Sequence, residues 1–139
     1  MKDMIKRVTK KEGGFTLVEL IVVLVILALL AAILVPTLLG YIDKARDEKN
    51  YQTAQTVRVA AQSVADSAYA AGTTSGSISL DSTTQQGTKT SVAELAGVDS
   101  SHVTACSFTY TNGLITEGTV TIDGSTYTLS SDGSWEASK

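Results

Sequence analysis

The chain has 139 residues, 43% hydrophobic and 18% charged, with a formal net charge of -3. At roughly 100–200 residues per domain, it has room for one domain at most. An acidic chain rich in Ser and Thr is not built to bind nucleic-acid phosphates, and its one cysteine, Cys106, excludes an intrachain disulfide or a multi-cysteine metal site.

These averages hide two segregations. Lys2, Lys6, Arg7, Lys10 and Lys11 crowd the first segment against Asp3 and Glu12, and the remainder is acidic. Such a basic stretch reads as a topology signal, because Lys and Arg favour the cytoplasmic side of a membrane. The apolar residues concentrate in residues 15–42, while Ser, Thr and Gly dominate after Gly72. A core built only from that second part is small and needs docking to something larger.

In chain order, the first element is an apolar run over residues 15–39 with one charge, Glu19. Residues 20–39 carry none and meet the length of about 20 needed to cross a bilayer. With the positive flank ahead of it, the N-terminus stays inside and the C-terminus crosses. The helix continues beyond the membrane. Tyr51, Ala54, Val57, Ala61, Val64, Ala68 and Ala71 recur at three- and four-residue steps, on one stripe. Gly72 suits the helix C-terminus, and the Ala-rich stripe suits close packing on a flat sheet. A helix over residues 15–71 is roughly 85 Å long. That is too long for a compact head, so its first half belongs in lipid or in an assembly. Pro36 removes a backbone donor and frees the carbonyl of Ala32; with Gly40 one turn later, a kink or an opening point is expected.

Beyond Gly72 the sequence predicts a loop, a short strand over residues 77–80, and a short helix capped by Ser91 with Glu94 and stopped by Gly97. Alternation then places Thr104, Cys106, Phe108 and Tyr110 on one face of a strand. Asn112-Gly113, Asp123-Gly124 and Asp132-Gly133 each read as two-residue hairpin turns, giving an antiparallel meander that ends near Trp135. No solenoid repeat is present.

The junction Gly13-Gly14-Phe15-Thr16-Leu17-Val18-Glu19, behind a basic leader and ahead of an unbroken apolar run containing Pro36, resembles the cleavage and methylation signature of type IV prepilins. The resemblance covers the first third of the chain. It implies an α+β pilin-like fold, with a long N-terminal helix packed on a small C-terminal antiparallel sheet. The expected parts are a cleaved leader (1–14), a transmembrane and assembly helix (15–40), its amphipathic continuation (41–71) and a Ser/Thr-rich head (72–139). By the same resemblance a membrane prepilin peptidase cuts between Gly14 and Phe15 and methylates the new amine of Phe15. Glu19 guides assembly, and the helix can unwind near Pro36. The implied partners are further copies of the chain in a filament, the peptidase/methyltransferase, membrane assembly machinery and lipid. Many type IV pilins close the end of the head with a disulfide, which this chain cannot form; that fits pilins of Gram-positive bacteria, which often lack the bridge. The precursor is expected to sit once across the cytoplasmic membrane, head outside, and later in a surface pilus.

Physical chemistry supports a special role for Glu19. An acidic residue costs about 2.5–3.5 kcal/mol at the middle of a membrane helix and less towards its ends. Near the cytoplasmic edge it is tolerable but needs a partner. A neighbour's terminal amine could supply one, which would reward the correct stagger between copies.

Two rival readings remain at this level. A pseudopilin of a secretion or DNA-uptake system would share leader and helix. A secreted or anchored binding protein would instead use the first 32 residues as a signal peptide, against which Glu19 argues. Enzymatic activity is not expected, and neither is a cofactor. His102 and Cys106 supply too few groups for zinc or a nucleophilic site and would stand roughly 13 Å apart along a strand. Cys106 reads as a core residue and His102 as a loop residue. Asp99, Asp123 and Asp132 read as turn residues, without the spacing of a calcium loop.

Overall fold

The computed structural model describes residues 14–85 and 87–138. Of the leader expected over residues 1–14, all but Gly14 lies outside them. The chain falls into two compact units that meet between Lys44 and Ala45. The elements are α1 (Leu17–Ala70), β1 (Ser75–Ser79), α2 (Val92–Ala96), β2 (Val103–Thr111), β3 (Leu114–Ile122), β4 (Ser125–Leu129) and β5 (Trp135–Ser138). This is the α+β pilin-like layout expected: a long N-terminal helix packed against a small antiparallel sheet.

In the first unit α1 is apolar on every side. From Phe15 to Ile42 its large hydrophobic side chains are half or more exposed, and one window reaches a mean hydropathy of 3.3. By length and composition this stretch can cross a membrane. The helix is assigned without a break through Pro36, and the Thr37 hydroxyl donates to the Ile33 carbonyl at 3.1 Å.

In the second unit α1 supplies one layer of the core. Ala54, Val57, Ala61, Val64 and Ala68 are buried as the stripe predicted, but so are Asn50, Ala60 and Ala65. Ala71, expected to close the stripe, is exposed, because the helix has already ended. Gly72 takes φ 94°, its N–H donates to Tyr69 O, and Thr73 N–H reaches back to Ala68 O. That pairing satisfies the last free carbonyls and needs a left-handed residue at Gly72.

The strands pair in the order β1-β2-β3-β4-β5, all antiparallel. Ile78, Phe108, Val120, Tyr127 and Leu129 face α1 and are nearly or fully buried. Gly118 lies opposite Phe108 because the ring occupies the space a Cβ would take: Phe108 Cδ1 is only 2.2 Å from that position. Five side-chain contacts tie helix to sheet. Asn50 Nδ2 donates to Tyr127 Oη at 3.0 Å inside the core. The Gln62 amide donates to Gly113 O at 2.5 Å and accepts from Ile115 N–H at 3.0 Å. Trp135 Nε1 donates to Gln55 Oε1 at 3.0 Å. Tyr51 meets Tyr127 edge to face.

The short helix α2 forms as the sequence requires. Ser91 Oγ accepts from Glu94 N–H, the Glu94 carboxylate accepts from Ser91 N–H, and Gly97 ends the helix in the left-handed region. Two hairpin turns also form as read: Asn112-Gly113 and Asp123-Gly124 have positive φ at both residues, the type I′ pattern that suits twisted strands.

Four expectations need correction. Strand β1 starts at Ser75, earlier than predicted, and stops before Leu80. Thr104 faces outward, because an irregularity between Val103 and Ala105 inserts it as an extra residue. Asp132-Gly133 is not a two-residue turn, since strand pairing resumes only at Leu129 with Trp135. The longer loop is held by Gly133 N–H to Ser130 O and by Ser134 N–H and Oγ–H to Asp132 Oδ1. These Ser134 contacts hold the Asp132 carboxyl below its ordinary pKa. Finally, the meander extends beyond Trp135 into a fifth strand.

Candidate N-terminal processing and assembly site

Gly14, Phe15 and Thr16 precede the first turn of α1 in non-helical, exposed backbone, and Phe15 is 87% exposed. An accessible, unfolded dipeptide directly before a helix is what a peptidase needs at a cleavage junction. Two residues on, the helix start is fixed by the sequence itself. Thr16 Oγ1 accepts from Glu19 N–H at 3.2 Å, and Glu19 Oε2 accepts from Thr16 N–H at 3.0 Å. This is a reciprocal capping box. Leu20 N–H to Thr16 O at 3.2 Å closes the first backbone turn.

Glu19 is therefore not a bare charge at the head of an apolar helix. Its carboxylate sits in the first turn, where the helix dipole favours negative charge, and it already holds one hydrogen bond from its own chain. The box was readable from sequence, since Thr16-x-x-Glu19 repeats the spacing of Ser91-x-x-Glu94. Beyond Glu19 the next charged residue is Asp43, so no other formal charge interrupts the apolar stretch. Pro36 lies within it, nearly five turns past Glu19 at about 3.6 residues per turn, and a Cβ at Gly40 would meet nothing within 4 Å.

The head residues weighed as chemical groups are not assembled into a site. Cys106 is buried in the core, and burial, then the charge of Asp81, pushes its thiol up to about 11. His102 is exposed in the loop ahead of β2, with Nδ1 2.9 Å from Asp123 Oδ1. Asp99 accepts from Ser101 N–H at 2.8 Å, and hydrogen bonds from Ser101 hold its carboxyl below the ordinary range. Asp99, His102 and Asp123 share a cavity of about 190 Å³ with Lys49, Asn50 and Thr53. Among the described residues no group of three or more His, Cys, Asp or Glu side chains is close enough to hold a metal ion.

Comparison with known proteins bears on the same N-terminal segment. Residues 9–35 match the family described as the prokaryotic N-terminal methylation motif. Over 43 residues the chain is 49% identical to the type II secretion system core protein G of Escherichia coli strain K12. That segment is 31% of this chain and 30% of the relative, so this chain spans about a third of that protein's length. No solved structure matches the chain. The methylation motif thus lies across the capped start of an apolar helix, and that helix runs into a small antiparallel sheet, an α+β pilin-like layout.

Proposed function

We propose that the chain is the precursor of a filament subunit, the main subunit of a type IV pilus serving adhesion, motility or aggregation. A prepilin peptidase removes residues 1–14 by cutting between Gly14 and Phe15, and the new amine of Phe15 is methylated. Residues 15–40 first span the cytoplasmic membrane, with the head outside. They later pack against the same segment of other copies, delivered by membrane assembly machinery. Residues 41–71 carry the helix into the head formed by residues 72–139. Glu19 sets the register between copies, and the helix opens near Pro36.

The observation that carries this reading is the coincidence of three features within six residues. These are the Gly14-Phe15 junction, an exposed non-helical backbone there, and a helix capped by Thr16 and Glu19 immediately after it. The deciding experiment is mass spectrometry and N-terminal sequencing of the mature chain. N-methylated Phe15 is expected; an intact Met1, or a terminus beyond Ala31, defeats the reading. Glu19→Ala should leave membrane insertion intact and abolish filaments.

A second reading is favoured by the similarity to core protein G: a pseudopilin of a short secretion-system filament. The shared 43 residues are less than a third of the chain, and leader and helix are common to both readings. Electron microscopy separates them. Abundant long surface fibres containing this chain support the pilus, and their absence beside an intact secretion function supports the pseudopilus.

A further inference from the structure

The sheet has two unlike faces. One packs on α1. On the other, β2, β3 and β4 present Ser107 and Thr109, Thr119 and Thr121, and Thr126 and Thr128. Cross-strand pairing aligns these hydroxyls in rows: Ser79, Ser107, Thr119 and Thr128 are successive neighbours. No Lys, Arg or aromatic residue occupies an outward position on any of the five strands, and the only outward charges are Glu117 and Glu136. Strand propensity alone favours Thr here, but it does not explain the absence of the long cations usual on a solvated face.

Ser107, Thr109, Glu117, Thr119 and Thr128 surround a shallow depression of about 290 Å³, with Gly118 and Leu129 between them. Some hydroxyls elsewhere in the head are used locally. Ser82 accepts from Ser79 N–H, Thr84 donates to Thr88 O, Ser91 caps Glu94 and Ser134 donates to Asp132. Around the depression none of the four hydroxyls has a protein partner among the described residues, and Glu117 takes part in no ion pair there. Their hydrogen-bonding capacity is turned outward.

We propose that this depression binds a neutral sugar unit of a polysaccharide. Each Ser or Thr hydroxyl both donates and accepts, whereas ionised Glu117 only accepts. Two adjacent sugar hydroxyls can donate to the two Glu117 oxygens, and the surrounding hydroxyls match the rest of the ring. An anionic ligand would be repelled by Glu117, and a cationic one would leave the hydroxyl field unused. Thr is stiff at χ1, and short side chains lose little freedom on binding, so the array is pre-set. Affinity at one head is modest. If copies form the filament proposed above, a long polysaccharide would engage many heads at once, and avidity would follow from repetition.

The test uses the full mature chain in detergent micelles, isotope-labelled, titrated by NMR with cellohexaose and with maltohexaose. Saturable shifts confined to amides around Ser107, Thr109, Glu117, Thr119 and Thr128 are expected with at least one of the two. Thr119→Val, which keeps strand preference, and Glu117→Ala should each weaken binding roughly tenfold, with an unchanged unfolding midpoint. No saturable shift with either sugar at millimolar concentration overturns the proposal. So do shifts centred elsewhere, or variants that bind as well as the parent chain. Because the readout is made on unassembled chains, loss of filaments with sugar binding intact would count against the filament reading alone.

Discussion

Gly118 offers the sharpest test of how the sheet packs. A Cβ added there would lie 2.2 Å from Phe108 Cδ1, 2.8 Å from Cγ and 2.7 Å from Ser107 O. Carbon atoms pack at about 3.5–4.0 Å, so Gly118→Ala forces the Phe108 ring to move by more than an ångström. That ring is fully buried and stands edge-on to Trp135 at a centroid distance of 6.4 Å, so it has no free direction. Overpacking of this kind costs about 1–3 kcal/mol. For a head of this size each kcal/mol lowers the midpoint by roughly 4–8 °C, so a fall of about 4–24 °C is expected. Trp135 is the sole tryptophan and reports unfolding by fluorescence, measured on the full chain in micelles. Repeating the change in a Phe108→Leu background separates ring from backbone. The ring contact disappears but the Ser107 carbonyl remains, so the cost should shrink without vanishing. The reasoning fails if Gly118→Ala lies within about 0.5 kcal/mol of the parent, or costs the same in both backgrounds.

Three further outcomes follow from features of the helix and the core. Thr16→Ala removes the hydroxyl that accepts from Glu19 N–H and should fray the first turn of α1, at a cost of about 1 kcal/mol; Thr16→Ser should restore it, as read by hydrogen exchange at Glu19. Tyr127→Phe strips Asn50 Nδ2 of its buried partner and should destabilise by about 1–3 kcal/mol, whereas Tyr127→Phe with Asn50→Leu should recover most of that loss in chemical unfolding. Cys106 should resist alkylation at pH 8 until denaturant is added. Because its folded pKa of about 11 exceeds the ordinary thiol value of 9.0, its contribution to stability is complete below about pH 9 and lost as pH rises towards 11, which denaturation at stepped alkaline pH would record.

Local chemistry was the legible part of the fold. Ser91, Glu94 and Gly97 announce α2 because capping depends only on near neighbours, and Asn112-Gly113 and Asp123-Gly124 announce their turns because both need positive φ. The core stripe was visible as spacing, yet Asn50 was not foreseen within it, because its burial depends on Tyr127, 77 residues away. Thr104 defeated the alternation rule because a bulge is set by the partner strand. Asp132-Gly133 looked like its sister pairs, but the side chain of Asp132 is spent on Ser134 and the loop is longer. At the N-terminal site, Gly14, Phe15 and Glu19 stood out by their order. Thr16 was equally readable, because its capping partner Glu19 lies only three residues on.

The interior of the head is only half made by the sheet. Ala54, Val57, Ala61 and Val64 form the opposing wall, so a fragment beginning after Gly72 would be a single layer with Phe108, Val120 and Tyr127 open to water. A soluble head therefore has to carry the chain from near Asn50 onward. Proteolysis anywhere between Asn50 and Ala70 would unfold the sheet as surely as a cut inside a strand.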